Sequence, residues 1–100
     1  MASLTKYQIK RLIELVKEDC KMEYDEVVSN SKNPSYGTQR FIENKFASAG
    51  RVFGMSVMVS NLSIIDCISR EQGDSLKEII DRFRNDIYDV DYSREGEKSV

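Results

Sequence analysis

The chain contains no histidine, and that one absence removes the side chain most used as a general base, as a zinc ligand and as a switch near neutral pH. Ser–His and Cys–His catalysis and imidazole-based metal binding are excluded with it. Proline occurs once, at Pro34, so the helix-breaking residue marks a single place along 100 residues. There are two cysteines, Cys20 and Cys67, far from the dense framework of a small secreted domain. Both fall in stretches of periodic apolar residues, where a free thiol packs as a small hydrophobe. The reading is a reducing, cytoplasmic setting.

Charge of one sign is also lacking. Fifteen basic and seventeen acidic side chains leave a net charge of -2, with no overall field to draw in nucleic acid or an anionic membrane. Up to Arg51 there are nine basic and seven acidic residues, and from Val52 onward six and ten. Nucleic-acid binding, or mimicry of nucleic acid by the acidic half, therefore ranks third among the readings of function. Long apolar runs are missing too. The start of the chain reaches Lys6 without the apolar stretch of a signal peptide. The longest charge-free run, Val52 to Ile65, is fourteen residues interrupted by Ser56, Ser60, Asn61 and Ser63, too short and too polar to cross a bilayer.

What is present is helical spacing. Thr5 followed by Gln8 has the capping-box pattern, with Leu4 and Ile9 at the positions of a hydrophobic staple. Ile9, Leu12, Ile13, Val16, Cys20, Tyr24, Val27 and Val28 follow in steps of three and four, so a first helix runs from Lys6 to near Ser29. The polar stretch Ser29 to Gly37, holding Pro34, is the internal loop. Thr38 then caps a second helix, predicted to run to Gln72. It carries two apolar sets: Ile42, Phe46, Ala49, Phe53, Val57, Ser60, Ile64 and Cys67 on one line, and Val52, Met55, Val59 and Leu62 on another. The alternation of Phe53, Met55, Val57 and Val59 leaves a hairpin over 52–68 as the competing reading. Gly73 marks a stop, and Ser75 with Glu78 forms a capping box for a third helix whose stripe is Leu76, Ile79, Ile80, Phe83, Ile87 and Val90.

The expected fold is all-α: three amphipathic helices with a long apolar central helix, completed by homo-oligomerisation. Residues 1–92 form the single domain and 93–100 a polar flexible tail, with nothing to bury after Asp91. Apolar residues on more than one side of the second helix require cover that two partners do not readily supply. Gly50 and Gly54 mark a bend or a close contact, and Gly50, Phe53, Gly54, Val57 and Leu62 are the expected oligomer interface. The loop is the place for a small phosphorylated ligand or nucleotide, through Lys32, Tyr36, Thr38 and Arg40, although no phosphate-binding glycine pattern accompanies it. Asp86, Asp89 and Asp91 lack the spacing of a calcium loop. No catalytic, metal-ligating or cofactor-binding set emerges. The leading function is a non-enzymatic interaction protein, an adaptor or inhibitor that binds a macromolecular partner. The phosphorylated-ligand reading is the alternative.

Overall fold

The structure, a computed structural model, describes residues 3–92. The expected tail at 93–100 lies outside the described residues. The chain is all-α among the described residues, with α1 at Lys6–Ser31, α2 at Thr38–Ile64 and α3 at Arg70–Tyr88.

The start of α1 follows from its sequence. Thr5 Oγ1 accepts from the Gln8 backbone N–H at 3.1 Å, and Gln8 Oε1 accepts from the Thr5 N–H at 2.8 Å, closing the capping box. The helix passes the expected end at Ser29 by two residues, because Ser31 is buried and returns its hydroxyl to the Val28 carbonyl at 2.5 Å. At the next helix Gly37, with φ 93°, is the N-cap, and Thr38 is already inside the helix.

The second helix does not reach Gln72, and it is not a hairpin. It closes at Ile64 with a Schellman arrangement: Asp66 takes φ 61°, its N–H donates to the Ser63 carbonyl at 3.1 Å, and the Cys67 N–H donates to the Leu62 carbonyl at 2.9 Å. An aspartate occupies the left-handed position where glycine is the usual signal, which short polar side chains tolerate. The N-terminal segment covers this turn, Leu4 N–H donating to the Cys67 carbonyl at 2.9 Å.

The third helix correspondingly starts earlier than its sequence suggested. Ser69 is the N-cap: its hydroxyl accepts from the Gln72 N–H at 3.1 Å, and Gln72 Oε1 accepts from the Ser69 N–H at 2.8 Å. Gly73, expected to stop a helix, is buried within the first turn of α3, where an added Cβ would stand 3.3 Å from Ser63 Cβ. Its smallness lets α3 approach α2. Replacing Ser69 with alanine is expected to lower the unfolding free energy by about 1 kcal/mol. The same change at Ser75, exposed in the helix interior, is expected to be neutral or slightly stabilising, since alanine is the better helix former. Urea titrations of the two variants check this.

The core is contributed by all three helices at helical spacing: Val16, Cys20 and Val27 from α1, Phe41, Ala49, Val52 and Val59 from α2, and Leu76, Ile80 and Ile87 from α3, with Ile68 from the turn. The molecule is slender, 61 × 20 × 16 Å with a radius of gyration of 16.7 Å, against about 13 Å for a compact chain of this length. Such a rod has a core one side-chain layer thick. α2 packs against both other helices, and among the described residues no other element covers its third side.

Tyr92 corrects the expectation that burial ends at Asp91. Its ring stacks on Phe41 at 5.3 Å, and its hydroxyl accepts from the Gly37 N–H at 3.0 Å while donating to the Asn33 carbonyl at 2.7 Å. Lys45 Nζ donates to the neighbouring Val90 carbonyl at 2.8 Å. The segment after α3 thereby holds the α1–α2 loop in place.

Candidate functional site

Of the loop residues, the structure brings Tyr36 and Arg40 together. The Arg40 guanidinium lies 4.2 Å from the Tyr36 ring centroid, a cation–π contact. The Tyr36 hydroxyl accepts from the side-chain amides of Asn30, at 3.3 Å, and Asn44. Ser35 N–H donates to Asn33 Oδ1 at 3.0 Å. Lys32 is exposed at the C-cap of α1 and Thr38 half-buried at the start of α2, and among the described residues no hydrogen bond or ion pair links either one to Tyr36 or Arg40. Tyr36 and its partners thus tie the end of α1 to the start of α2, while Lys32 and Thr38 stand apart from them.

The grooves lie elsewhere. One of about 520 Å³ follows the α1–α3 seam, with Ile79 and Phe83 between Lys17, Lys21 and Arg82 on one hand and Glu18 and Asp86 on the other. Charges of both signs rim it, and Lys21 and Arg82 are engaged by Asp25 at 2.6 Å and Glu78 at 3.4 Å. Among the described residues no three His, Cys, Asp or Glu side chains come together as a metal ligand set, and no helix is long and apolar enough to cross a membrane.

Both cysteines are free. Burial, with smaller contributions from the Asp19 and Glu23 carboxylates, pushes the Cys20 thiol up to about 11. Its Sγ sits 3.6 Å from Met55 Sδ, inside the core. A thiol kept neutral and enclosed is a poor nucleophile, so a disulfide reagent at neutral pH is expected to label half-buried Cys67 first and Cys20 only on unfolding. The linkage has a definite sign. Above the ordinary value of 9.0 the unfolded chain loses this proton while the folded chain keeps it until about 11. Stability should therefore fall over that interval, with a slope of up to ~1.4 kcal/mol per pH unit from this group. Cys20→Ala, compared by urea midpoints across the interval, should lack that component.

Among the described residues, exposed large apolar side chains line the outer face of α2. Ile42, Phe46, Phe53, Val57 and Ile64 are all exposed, and Tyr88 of α3 extends the face, its ring 5.8 Å from that of Phe46. Gly50 and Gly54 lie within it, and among the described residues an added Cβ at either would meet no atom within 4 Å. Four of the five expected interface residues, Gly50, Phe53, Gly54 and Val57, share this face. Leu62 does not, being half-buried against the core. Between Phe46 and Ile65 the only charged residue is Arg51, off to one side, where it pairs with Glu23 of α1 and donates to Ser48 Oγ at 3.0 Å. The Glu23 hydrogen bond holds the Arg51 guanidinium further toward its charged form. On the other flank Arg84 lies 5.2 Å from the Phe53 ring centroid.

Ile42, Phe46, Ile64 and Tyr88 were absent from the expected interface. The first three stood in the sequence as one of two apolar lines on the second helix, and only the placement of α1 and α3 decides which line is inside. Comparison of the chain with known protein families, with curated proteins and with solved structures returns no match.

Proposed function

We propose that this chain is a non-catalytic helical interaction protein, an adaptor or inhibitor, that works by docking the outer face of α2 on a protein partner. The observation that carries this reading is the exposed line from Ile42 to Ile64 with Tyr88 beside it. Scattered apolar residues are normal on a protein surface, whereas contiguous ones rimmed by polar groups mark interaction sites. Aromatic rings on a rigid helix suit such a role, because they supply large contact area with few rotors to freeze. The folded scaffold positions them: α1 and α3 hold α2 from the opposite side, and the Tyr92 clamp fixes its N-terminal end.

A photo-crosslinking amino acid placed at Phe53 tests the reading, with the same group at exposed Tyr7 on α1 as the reference. In cells producing the chain, protein adducts are expected from position 53 and not from position 7. Equal yields from the two positions, or none from 53, would contradict it.

A further inference from the structure

The occupant of the α2 face can be named from its shape. We propose that a second copy of this chain covers it, the two α2 helices crossing antiparallel about a two-fold axis near Val52. This rests on the docking reading above and names a second copy as the occupant of that face in the free protein, which any other protein target would have to displace.

The two glycines carry the first step. Each costs ~1 kcal/mol in a helix interior relative to alanine, and among the described residues neither Gly50 nor Gly54 has a neighbour that would exclude a methyl group. Gly73 shows the contrast, since its missing side chain makes room for Ser63. Residues four apart lie on one side of a helix, so Gly50 and Gly54 form a single notch, with Phe46, Phe53 and Val57 standing around it. A notch of bare backbone on an apolar helix is matched by a second helix that approaches closely.

The position of the notch points to self-association. An isologous contact needs one patch that is complementary to itself. The notch lies at the middle of Thr38–Ile64, and exposed apolar side chains continue from it toward both ends, through Ile42 and Phe46 in one direction and Val57 and Ile64 in the other. Crossing two such helices antiparallel at their midpoints sets Gly50 against Gly54 of the other copy and Phe46 near Val57 and Met58, overlaps them along their length and opposes their helix dipoles, which a parallel pair would align.

The area and the charge agree. Phe46, Phe53 and Tyr88 are 58%, 50% and 42% exposed, and at ~150–250 Å² per ring they present roughly 300 Å². Ile42, Val57, Met58 and Ile64 bring the face to the order of 600 Å², near the ~800 Å² per partner of a stable interface. Arg51 is paired with Glu23 on one flank, and on the other Arg84, over the Phe53 ring, is paired with Asp81 at 3.7 Å, so closing the face on itself leaves no cation without a counter-charge.

The test is sedimentation velocity on the full chain, with and without the paired substitutions Gly50→Ala and Gly54→Ala. Both alanines fit the isolated subunit, so folding is retained, and below the dissociation constant their urea midpoint should be at or above that of the parent. The parent is expected to sediment as a dimer with a dissociation constant around micromolar, and the alanine pair to weaken it at least tenfold. A parent chain that stays monomeric would overturn the proposal, as would an alanine pair that dimerises as tightly as the parent. If the chain is monomeric but position 53 still crosslinks to a different protein, only the identity of the partner fails. If it is monomeric and no adduct forms, the docking reading fails with it.

Discussion

Replacing Ile80 with alanine is expected to remove about 3–5 kcal/mol of stability. Ile80 is fully buried in α3, within the layer shared by all three helices. Truncating a buried isoleucine removes the transfer free energy of the lost methylenes and leaves a cavity, whose cost depends on how far the surroundings can collapse. In a rod of 61 × 20 × 16 Å the surroundings are three long helices tied at their ends. Closing a gap halfway along would require bending one of them, so the upper part of the range applies. Against a total of ~5–15 kcal/mol for a natural domain, such a loss leaves a substantial fraction unfolded. Urea titration followed by far-ultraviolet circular dichroism measures it, at one protein concentration, because association shifts apparent stability. Ile42→Ala, on the exposed face, is the control and should change the subunit by less than ~0.5 kcal/mol. A loss below about 1 kcal/mol at Ile80 would show that the layer is not packed as described.

Tyr92→Ala is expected to cost about 3 kcal/mol. Three contacts disappear together: the stack on Phe41, the acceptor for the Gly37 N–H and the donor to the Asn33 carbonyl. The stack contributes ~0.5–1.5 kcal/mol beyond area, and each hydrogen bond about 1 kcal/mol. Tyr92→Phe keeps the ring and should lose about 2 kcal/mol, the hydrogen-bond share. Amide hydrogen exchange adds a local signature. In both variants the Gly37 amide loses its partner and should exchange faster, while the middle of α1 keeps its protection. Unchanged exchange at Gly37 in Tyr92→Ala would contradict the clamp.

Local signals were legible where one pattern stood alone. The Thr5–Gln8 capping box, followed by a clean apolar stripe, placed α1 to within two residues at its end. The loop around Pro34 was equally plain. Where two patterns competed, the sequence did not choose. Ser69 with Gln72 and Ser75 with Glu78 both satisfy the capping pattern, and what selects the first is the reversal at Asp66, whose left-handed backbone no glycine announces. Gly73 reads as a stop because a glycine that packs and a glycine that ends a helix are the same letter.

The candidate site shows the same division. That α2 carries more apolar surface than one side can bury is visible in its spacing, and Gly50, Phe53, Gly54 and Val57 were recognisable from it. Which of the two apolar lines faces outward depends on where α1 and α3 settle, so the spacing groups half-buried Leu62 with exposed Phe53 and Val57 and leaves Ile42, Phe46 and Ile64 as ordinary periodicity. Tyr88 belongs to another helix and joins Phe46 only through the fold. In the loop, Tyr36 is engaged by Asn30, Asn44 and Arg40 while Lys32 and Thr38 stand apart, an arrangement that residue type alone does not reveal.

The central claim is that the outer face of α2 meets its own copy in antiparallel orientation, and distances between nitroxide labels test it most directly. One label per chain is placed at exposed Ala47 and, in a separate sample, at exposed Asn61. With 1.5 Å of rise per residue and a crossing at Val52, the account predicts axial separations of roughly 15 Å between the copies at position 47 and roughly 27 Å at position 61. Short separations of about 10 Å at both positions would indicate parallel helices. Either that outcome or the absence of any dipolar coupling would contradict the account.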